Sequence, residues 1–310
     1  MHFSVVIPTY NRADMFERVL TALSNQAGAP EFEVVLINDG STDDTVARVS
    51  RLQNSGNLGY ELRFETQENS GPGRARNRGA ELARGDFTIF IGDDTVPESR
   101  FVAEHALTHR NSDNDPMLAC LGYTGWPRED RVTSFMDYIN DYGLQFGYAL
   151  IEHDSIVPFN FFYTSNISIA TVTLRNNPFD TSFPAAAWED IELAYRLERQ
   201  GLRIHYNSHA VTRHYHPTTV ASFSRRQYTV GRSGAIFAGK HPELSHFLGV
   251  KEIATRPEPS HRKMRRLTWL AEIGESFRPL AQSKVFEELM REHYLRGLRD
   301  GLRDIESRVE

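Results

Sequence analysis

Short apolar runs alternate with amphipathic helical patterns through the first hundred residues, and this alternation constrains the fold more than any other feature of the chain. The runs lie at residues 3–7, 32–37, 62–65 and 87–91. Strands that alternate with helices are joined by crossover connections, which favour parallel pairing. We therefore predict an α/β fold with a Rossmann-like, mainly parallel central sheet flanked by helices.

Two adjacent aspartates, Asp93 and Asp94, follow the fourth run directly. Open α/β sheets bind ligands at the carboxyl ends of their strands, so both carboxylates are expected in a ligand crevice. Neighbouring carboxylates repel each other, and one of them stays protonated unless a cation or strong donors compensate the charge. A divalent metal shared with phosphate oxygens relieves this conflict. The alternative is a solvated turn that caps a helix beginning at Pro97.

A third aspartate, Asp39, ends the second run and stands just before Gly40, which lets the backbone turn. The rule about strand ends predicts that Asp39 points into the same ligand crevice. A simple turn aspartate is the alternative. After the turn, Ser41 is expected to cap the next helix, with Asp44 as the acid of a capping box.

A glycine-containing segment, residues 69–79, leads into a predicted helix that begins at Pro72. The helix carries Arg74, Arg76 and Arg78 close to its start. Guanidinium groups at a helix N-terminus favour a phosphate or a loop that binds one. Solvated surface arginines are the alternative, which we favour for Arg78. The glycine pattern is neither a Walker motif nor the dinucleotide fingerprint.

A second acidic pair, Glu189 and Asp190, follows Trp188 and opens a predicted helix that Gly201 closes. Acidic residues in the first turn of a helix are stabilised by the helix dipole, which is a sufficient structural explanation. In a chain with another acidic pair upstream, one of these carboxylates is also a candidate general base for an incoming hydroxyl.

Two histidines, His214 and His216, lie close together after a predicted strand at residues 202–206. Histidine is a common metal ligand, although a lone histidine is more often structural. We expect that one of the two, and not both, reaches a metal shared with Asp94.

The charge balance of the chain argues against nucleic-acid binding. Its 310 residues include 35 Lys and Arg and 41 Asp and Glu, a formal net charge of -6, so no general basic field attracts a polyanion. The single cysteine, Cys120, excludes an intrachain disulfide and fits a reducing, cytoplasmic setting. No signal-peptide pattern is present and no apolar stretch reaches the roughly 18 residues of a spanning helix, so we expect a soluble protein or one peripheral to a membrane.

The middle and the C-terminal part of the chain give weaker signals. Residues 116–164 are aromatic and irregular, and Trp126 and Tyr142 are candidates for stacking on the apolar face of an acceptor sugar. Beyond Pro257, spaced leucines among charged residues predict amphipathic helices that form a packing or homo-oligomer surface. The basic cluster at 261–266 leaves weak attachment to acidic lipid open.

Taken together, four ordered segments resemble the family 2 glycosyltransferases, which are inverting enzymes with the GT-A fold. The segments are the opening strand and turn at 5–12, the Asn-Asp-Gly-Ser turn at 37–43, the arginine-containing segment at 69–79, and the acidic strand end with the Trp-Glu-Asp helix downstream. The resemblance extends from residue 3 to about residue 235. The C-terminal helices lie outside it.

The resemblance implies which residues hold the nucleotide. Asp39 contacts the uracil or the ribose, Thr9 and Arg12 line the pocket, and Asp93 makes a ribose contact or a water-mediated contact with the metal. The full set is Pro8, Thr9, Tyr10, Arg12, Asp39, Asn69, Gly71, Arg76 and Asp93.

The resemblance also implies a metal site and a catalytic base. Asp94 binds Mn2+ or Mg2+, with His214 preferred over His216 as a second ligand. The family usually carries an acidic residue where this chain has Gly92, so Asp94 is the main protein ligand. The catalytic base is Asp190, with Glu189 as the close competitor.

The implied function is transfer of a sugar, with inversion, from a nucleotide diphosphate donor to a hydroxyl of a glycan, lipid-linked or other carbohydrate-type acceptor, as in polysaccharide biosynthesis. A UDP-sugar is the favoured donor. The base accepts the hydroxyl proton in a single displacement, and the metal stabilises the departing diphosphate. A non-catalytic nucleotide-sugar-binding module is one alternative, which Gly92 favours. A nucleotidyltransferase is the other, although it would be expected to carry a glycine-rich loop at 8–12.

The predicted organisation has three parts. Residues 1–115 form the half that binds the nucleotide sugar, and residues 116–240 form the half that binds the acceptor and carries the catalytic residues. Residues 241–310 form a helical C-terminal extension.

Overall fold

The fold is described from a computed structural model of the chain. The structure describes residues 1–56, 58–127, 129, 131–278 and 282–307. Contacts divide the chain into two compact units, which we call the sheet unit (Met1–Asp130, Tyr148–Thr181 and Glu189–His216) and the helical unit (Arg131–Gly147, Ser182–Trp188 and Pro217–Glu310). The predicted functional division at residues 115 and 240 stays a prediction.

The described residues of the sheet unit form one sheet of nine strands. The strands are β1 (Phe3–Thr9), β2 (Phe32–Asn38), β3 (Glu61–Thr66), β4 (Phe87–Ile91), β5 (Thr95–Pro97), β6 (Leu118–Gly125), β7 (Ser155–Val157), β8 (Asn166–Ala170) and β9 (Arg203–His214). Their order across the sheet is β3-β2-β1-β4-β8-β6-β9-β5, and β7 also pairs with β9. The first four strands coincide with the four predicted apolar runs.

Parallel pairing joins β1 to β2, β2 to β3 and β1 to β4, as the alternation predicts. Beyond β4 the sheet is mixed, because β8 is antiparallel to both β4 and β6, whereas β6 and β9 are parallel. Antiparallel neighbours need no helical crossover. Alternation of helix and strand in the first hundred residues therefore carries no information about them.

The chain changes its direction across the sheet beside β1. From β1 it proceeds through β2 to β3 on one side, and from β3 it returns to β4 on the other side. Connections that diverge from two neighbouring parallel strands leave a crevice at their carboxyl ends, where open α/β sheets bind ligands. Thr9 ends β1 and Ile91 ends β4, so the residues just after them lie at this crevice.

Eleven α-helices are found among the described residues. They are α1 (Ala13–Leu23), α2 (Thr45–Ser55), α3 (Pro72–Leu82), α4 (Phe101–Asn111), α5 (Ser134–Asp141), α6 (Thr171–Asn176), α7 (Glu189–Glu198), α8 (Val220–Lys240), α9 (Val250–Thr255), α10 (His261–Ser276) and α11 (Ser283–Glu306). The helical unit contains α5 and α8 to α11, and the sheet unit contains the others.

Apolar residues of β1, β2 and β4 form the core of the sheet unit together with α1 and α4. Fully buried members include Val5, Ile7, Phe16, Leu20, Val34, Leu36, Ile89 and Phe101. Helix α3 also lies close to β1, since an added β-carbon at Gly79 would overlap the side chain of Val6. This packing fixes the strand ends and the start of α3, where the candidate site residues lie.

Two local predictions are wrong. Pro97 does not begin a helix but ends β5, because it pairs with β9. Ser41 and Asp44 do not form a capping box, since α2 begins directly after Asp44 without a side-chain cap. The hydroxyl of Ser41 instead accepts a hydrogen bond from the N–H of Asn11 over 2.9 Å. In both places a residue that the local pattern assigns to a helix end pairs instead with a residue distant in the sequence.

In the helical unit, α8 and α11 bring their backbones close together. An added β-carbon at Gly297 would overlap the carbonyl group of Tyr228, and one at Gly231 would overlap that of Tyr294. Glycine at these two positions therefore permits the approach of the helices.

The spaced leucines of the C-terminal part lie inside the helical unit. Leu289, Leu295 and Leu298 are fully buried, so they serve the packing role that the sequence predicts. The homo-oligomer that the same residues suggested stays a prediction. None of the described helices combines the length and the hydropathy that crossing a bilayer requires.

We expect Gly297→Ala to lower the Tm of the protein, because the new methyl group meets a main-chain oxygen that no change of rotamer can move. Overpacking of this kind costs about 1–3 kcal/mol. Gly239→Ala in α8 is the matched control, since nothing lies within 4 Å of its added β-carbon and replacing a helical glycine by alanine stabilises by about 0.5–1 kcal/mol. Equal shifts of Tm in the two variants would contradict the close approach of α8 and α11.

Candidate active site at the carboxyl edge of the sheet

Asp93 and Asp94 lie directly after β4, at the crevice beside β1. Both are buried, with 6% and 7% of their surface exposed. The hydroxyl of Thr9 at the end of β1 donates to Asp93 Oδ2 over 2.8 Å, and the backbone N–H of Tyr10 donates to the same carboxylate. The parallel pairing of β1 with β4 therefore holds Asp93 in place.

Arg12 supplies positive charge to both carboxylates. Its Nη1 lies 3.2 Å from Asp93 Oδ1 and also contacts Asp94 Oδ2. Burial raises the pKa of Asp93 to about 6, although Arg12 opposes this shift. Burial would also raise the pKa of Asp94, but His214, Arg12 and His216 outweigh it and hold that pKa well below its ordinary value. The two carboxyl groups thus titrate apart, as adjacent carboxylates do.

His214, the last residue of β9, and His216 both reach Asp94. His214 Nε2 lies 3.5 Å and His216 Nδ1 lies 3.6 Å from Asp94 Oδ2, and the two rings stack with their centroids 5.6 Å apart. We expect one of the two to reach a metal shared with Asp94, whereas both imidazoles approach its carboxylate; which of them binds a metal stays a prediction. Residues two apart in extended backbone direct their side chains to the same side.

The two aromatic residues predicted to stack on an acceptor sugar have different surroundings. Trp126 is buried, and its ring stacks on that of His214 with the centroids 5.7 Å apart. Tyr142 in the helical unit is 59% exposed, and its ring lies 5.5 Å from that of Tyr138. Trp126 therefore orients an imidazole, whereas Tyr142 presents a ring to solvent.

The donor set around Asp94 fits a divalent cation in its chemistry. One carboxylate with two imidazoles is a recurrent metal-binding set, and the carboxylate also suits Mg2+ or Mn2+. Within the described ranges, no three His, Cys, Asp or Glu side chains are gathered closely enough to form a metal site as they stand. The guanidinium of Arg12 lies on the same Asp94 oxygen and has to leave it when a cation binds there. The assignment of Asp94, His214 and His216 as ligands stays a prediction.

Gly92 stands where the resemblance predicts an acidic residue. A β-carbon at this position would lie 2.8 Å from Thr95 Oγ1 and 2.9 Å from Asp94 Oδ1. The same Thr95 hydroxyl donates to Asp94 Oδ1 over 3.3 Å. Glycine therefore leaves the space in which Thr95 approaches Asp94, so the departure from the family pattern is tied to the way Asp94 is held.

Asp39 fastens the loop that precedes α3. Its Oδ1 accepts hydrogen bonds from Gln67 Nε2 (2.7 Å) and from the N–H of Ser70 (2.9 Å), and its Oδ2 accepts one from the N–H of Gly71 (2.9 Å). Gly40 beside it has a positive φ of 78°, and a β-carbon there would lie 2.7 Å from the backbone nitrogen of Asn69. The predicted contact of Asp39 with uracil or ribose stays a prediction.

Asn11, which the sequence did not single out, joins the turns after β1 and β2. Its backbone is left-handed (φ 53°), a region that asparagine adopts more readily than most residues. Its Oδ1 accepts a hydrogen bond from the N–H of Thr42 over 2.7 Å. At the same edge Pro8 is partly buried and Tyr10 is 47% exposed.

Arg76 on α3 forms a buried ion pair with Glu189 on α7. Arg76 Nη1 lies 2.6 Å from Glu189 Oε1, and the two side chains are 10% and 3% exposed. The guanidinium also lies over the ring of Phe179, 5.7 Å from its centroid. The resemblance assigns Arg76 to the nucleotide, and that role stays a prediction. Arg78, favoured as a surface residue, is partly exposed and pairs with Glu65.

The Asp190 carboxylate accepts two long hydrogen bonds from Thr164 and one from the next residue in the chain. Its Oδ2 lies 3.4 Å from both the N–H and the hydroxyl of Thr164, and its Oδ1 accepts from the N–H of Ile191 over 2.9 Å. Burial, reinforced by the charge of Glu189, raises the pKa of Asp190 to about 6, while Arg76 and these bonds act in the opposite direction. No sequence pattern indicates Thr164 as a partner of Asp190, because only the tertiary fold brings it to α7.

The structure thus brings the predicted site residues together in three groups of the sheet unit. The first contains Pro8, Thr9, Tyr10, Arg12, Asp93, Asp94, His214 and His216, the second Asp39, Asn69 and Gly71, and the third Arg76, Glu189 and Asp190.

A protein-family model with the description "Glycosyl transferase family 2" matches residues 4–164, more than half of the chain. The chain belongs to glycosyl transferase family 2. This confirms both the predicted family and the predicted class of enzyme, a glycosyltransferase.

Curated relatives carry names from the same class of enzyme. The chain is 29% identical over 267 residues to a validoxylamine A glucosyltransferase from Streptomyces hygroscopicus subsp. limoneus, an alignment that covers 78% of this chain and 57% of the relative. It is 26% identical over 270 residues to the uncharacterized glycosyltransferase YfnE of Bacillus subtilis (strain 168), covering 72% of this chain and 67% of that protein. The chain spans 57% and 61% of the length of the two validoxylamine A glucosyltransferases that it matches.

Solved structures share the fold of this family 2 member. TarS 1-349 of S. aureus, in complex with UDP, aligns with a TM-score of 0.56 and 19% identity over 99% of this chain and 92% of TarS 1-349. The mannosyltransferase PcManGT from Pyrobaculum calidifontis, in complex with GDP-Man and Mn2+, aligns with a TM-score of 0.61 and 19% identity over 96% of this chain and 87% of PcManGT. The predicted α/β fold of GT-A type, with a helical C-terminal extension, is confirmed.

Proposed function

We propose that the chain is an inverting glycosyltransferase that moves a sugar from a UDP-sugar to a hydroxyl of a glycan, lipid-linked or other carbohydrate acceptor. The proposal rests on one observation, which is that the sheet unit contains two acidic pairs. Asp93 and Asp94 lie at the strand crevice, and Glu189 and Asp190 lie at the start of α7. Named relatives support the reaction class, since one is a glucosyltransferase. UDP as donor is supported by solved structures of TarS with UDP and with UDP-GlcNAc.

The catalytic base in this proposal is Asp190. Its competitor Glu189 is 3% exposed and forms an ion pair with Arg76. Its carboxylate is therefore shielded from an acceptor, and its negative charge is already balanced by the guanidinium. Asp190 combines longer hydrogen bonds with a pKa raised to about 6. A base with a pKa near the working pH takes up a proton during attack and releases it afterwards.

In the proposed displacement, the acceptor oxygen attacks the anomeric carbon while Asp190 takes the hydroxyl proton. The bond between that carbon and the diphosphate oxygen breaks on the opposite face, so the configuration inverts, and the proton on Asp190 then passes to water. Asp94, His214 and His216 would hold Mn2+ or Mg2+. A bound cation of this kind offsets the charge of a departing diphosphate. Thr164 keeps the Asp190 carboxylate oriented from the side of β8.

Replacing Asp190 by Asn is expected to lower kcat by about 10²- to 10⁴-fold, because the amide accepts no proton, while the Kd for UDP changes little. UDP release from UDP-sugars measures the first quantity and calorimetry the second. Asp113→Asn, at an exposed turn after α4, is the matched control and should behave as wild type. Retained turnover in Asp190→Asn would refute the assignment. Release of pyrophosphate from UTP and a sugar phosphate would indicate a nucleotidyltransferase, and no release of UDP from UDP-sugars by the wild type would indicate a binding module.

The two aspartates at the strand end are expected to differ in their effect on metal binding. Asp94→Ala removes the oxygen that both imidazoles approach, so it should weaken Mn2+ binding much more than Asp93→Ala, which removes the group fixed by Thr9. Isothermal calorimetry with Mn2+ in the presence of UDP gives the two affinities without requiring turnover. Equal losses would contradict the assignment of Asp94 as the main ligand.

The exposed face of α10 attaches the enzyme to an anionic lipid surface in this proposal. Arg262, Arg265 and Arg266 are exposed, and no described residue forms an ion pair with them. Trp269, one turn further along, is 61% exposed on the same face. Arginine is attracted to acidic headgroups, and tryptophan favours the interface. A cytoplasmic location, predicted from the single cysteine, is consistent with this attachment.

Vesicle binding tests this attachment. The wild type should bind phosphatidylglycerol vesicles, with a blue shift of tryptophan fluorescence, and not phosphatidylcholine vesicles. At about 1 kcal/mol for each arginine, the triple variant R262Q/R265Q/R266Q should bind roughly 100-fold more weakly. The control R51Q/R110Q/R296Q removes the same charge from scattered exposed positions and should bind as the wild type does. Equal weakening in both triple variants would refute a docking face on α10.

A further inference from the structure

Helix α3 is fastened to both ends of the segment that leads into α7. Asn77 Nδ2 donates to the carbonyl oxygen of Phe179 over 2.9 Å, and Asn77 Oδ1 accepts from the N–H of the same residue over 2.8 Å. Its neighbour Arg76 binds Glu189, the first residue of α7. Two consecutive residues of α3 therefore hold Phe179 and Glu189 of the sheet unit.

The ion pair between Arg76 and Glu189 is closed off from solvent yet joined by one hydrogen bond. Arg76 Nε and Glu189 Oε2 are both buried and find no hydrogen-bond partner in the part of the chain that the structure describes. A buried ion pair costs a large desolvation penalty and is weak support for stability compared with apolar packing. A contribution to folding stability therefore does not explain why this ion pair is present. Its two charges also act on a neighbouring group.

That neighbouring group is Asp190. The charged and titratable groups that face its carboxyl are Glu189 on α7, Arg76 on α3 and Tyr163 beside Thr164. Tyr163 stays neutral, because burial raises its pKa well above the ordinary value. The positive charge of Arg76 favours the ionised form of Asp190, and the negative charge of Glu189 disfavours it. The two members of the ion pair thus act on Asp190 in opposite directions.

We propose that Arg76 is a positioning residue for Asp190: through its ion pair with Glu189 it fixes the first turn of α7 and balances the charge beside the base. The inference rests on the proposed function, in which Asp190 is the base. It departs from the role that the resemblance implies for Arg76, which is a contact with the nucleotide.

The N-terminal end of α3 reaches the turn after β2. The N–H of Gly71 donates to Asp39 Oδ2 over 2.9 Å, and α3 begins at the next residue, Pro72. One rigid helix therefore connects the turn predicted to hold the nucleoside with the first turn of α7.

The test follows the Asp190 carboxyl by 13C NMR during a pH titration of the full chain and its variants, together with kcat and the Kd for UDP. We expect Arg76→Gln to raise the pKa of Asp190 and Glu189→Gln to lower it, each by about 1 unit, and the double variant to return close to wild type. The kcat of Arg76→Gln should fall by about 10- to 100-fold, while the Kd for UDP changes little.

Two further variants separate charge from packing. Arg78→Gln removes the same charge two residues along α3, where Arg78 pairs with Glu65 and Glu81 near the surface, and it should leave the Asp190 titration, kcat and the Kd for UDP as in the wild type. Arg76→Lys keeps the charge without the planar guanidinium. It should preserve the titration of Asp190 while lowering kcat, and it serves as the test if Arg76→Gln does not fold.

A nucleotide contact for Arg76 predicts the reverse result, with UDP binding weakened by about tenfold or more and the Asp190 titration unmoved in every variant. A merely structural pair predicts loss of kcat in both single variants with no opposite shifts of the titration. Either result overturns the inference. The titration needs no turnover, so a wild type that transfers no sugar would refute the proposed function while the relation between Arg76 and Asp190 is still measured.

Discussion

Two adjacent carboxylates at the end of a buried strand require compensation, and much of the sheet unit is arranged to provide it. Thr9 at the end of β1 donates to Asp93, Arg12 in the following turn contacts both groups, and the end of β9 brings His214 to Asp94. These donors come from three places in the sequence. The parallel pairing of β1 with β4 and the long strand β9 are what make them neighbours.

The second acidic pair is compensated differently, and the difference gives its two members separate roles. Glu189 has an internal counter-ion in Arg76, whereas Asp190 has hydrogen-bond donors at 2.9 and 3.4 Å from its oxygens. One carboxylate is thereby neutralised in place, and the other keeps a pKa raised to about 6 by burial and by the charge of Glu189. A fixed ion pair beside a titratable acid is a compact way to set the acid's proton affinity.

Sequence patterns located the strands and the strand-end acids, because both depend on local order. The four apolar runs coincide with β1 to β4, and their alternation with helices predicts the parallel pairs among them. Patterns failed where a distant partner decides the outcome. Ser41 binds Asn11 instead of capping α2, and Pro97 joins β9 instead of opening a helix. The burial of Arg76 is a further example. An arginine in a polar helical segment is expected to be exposed, and only the fold brings Glu189 to it as a buried partner.

Helix α3 unites these observations, because it begins at the turn after β2 that Asp39 holds and also binds the first residue of α7 through Arg76. Its approach to β1 depends on Gly79, where a side chain would displace Val6. The same helix contacts the loop held by Asp39 and the start of α7 held by Arg76. Gly79 therefore sets how closely α3 packs on the sheet, and the ion pair of Arg76 joins this helix to the first turn of α7, beside Asp190.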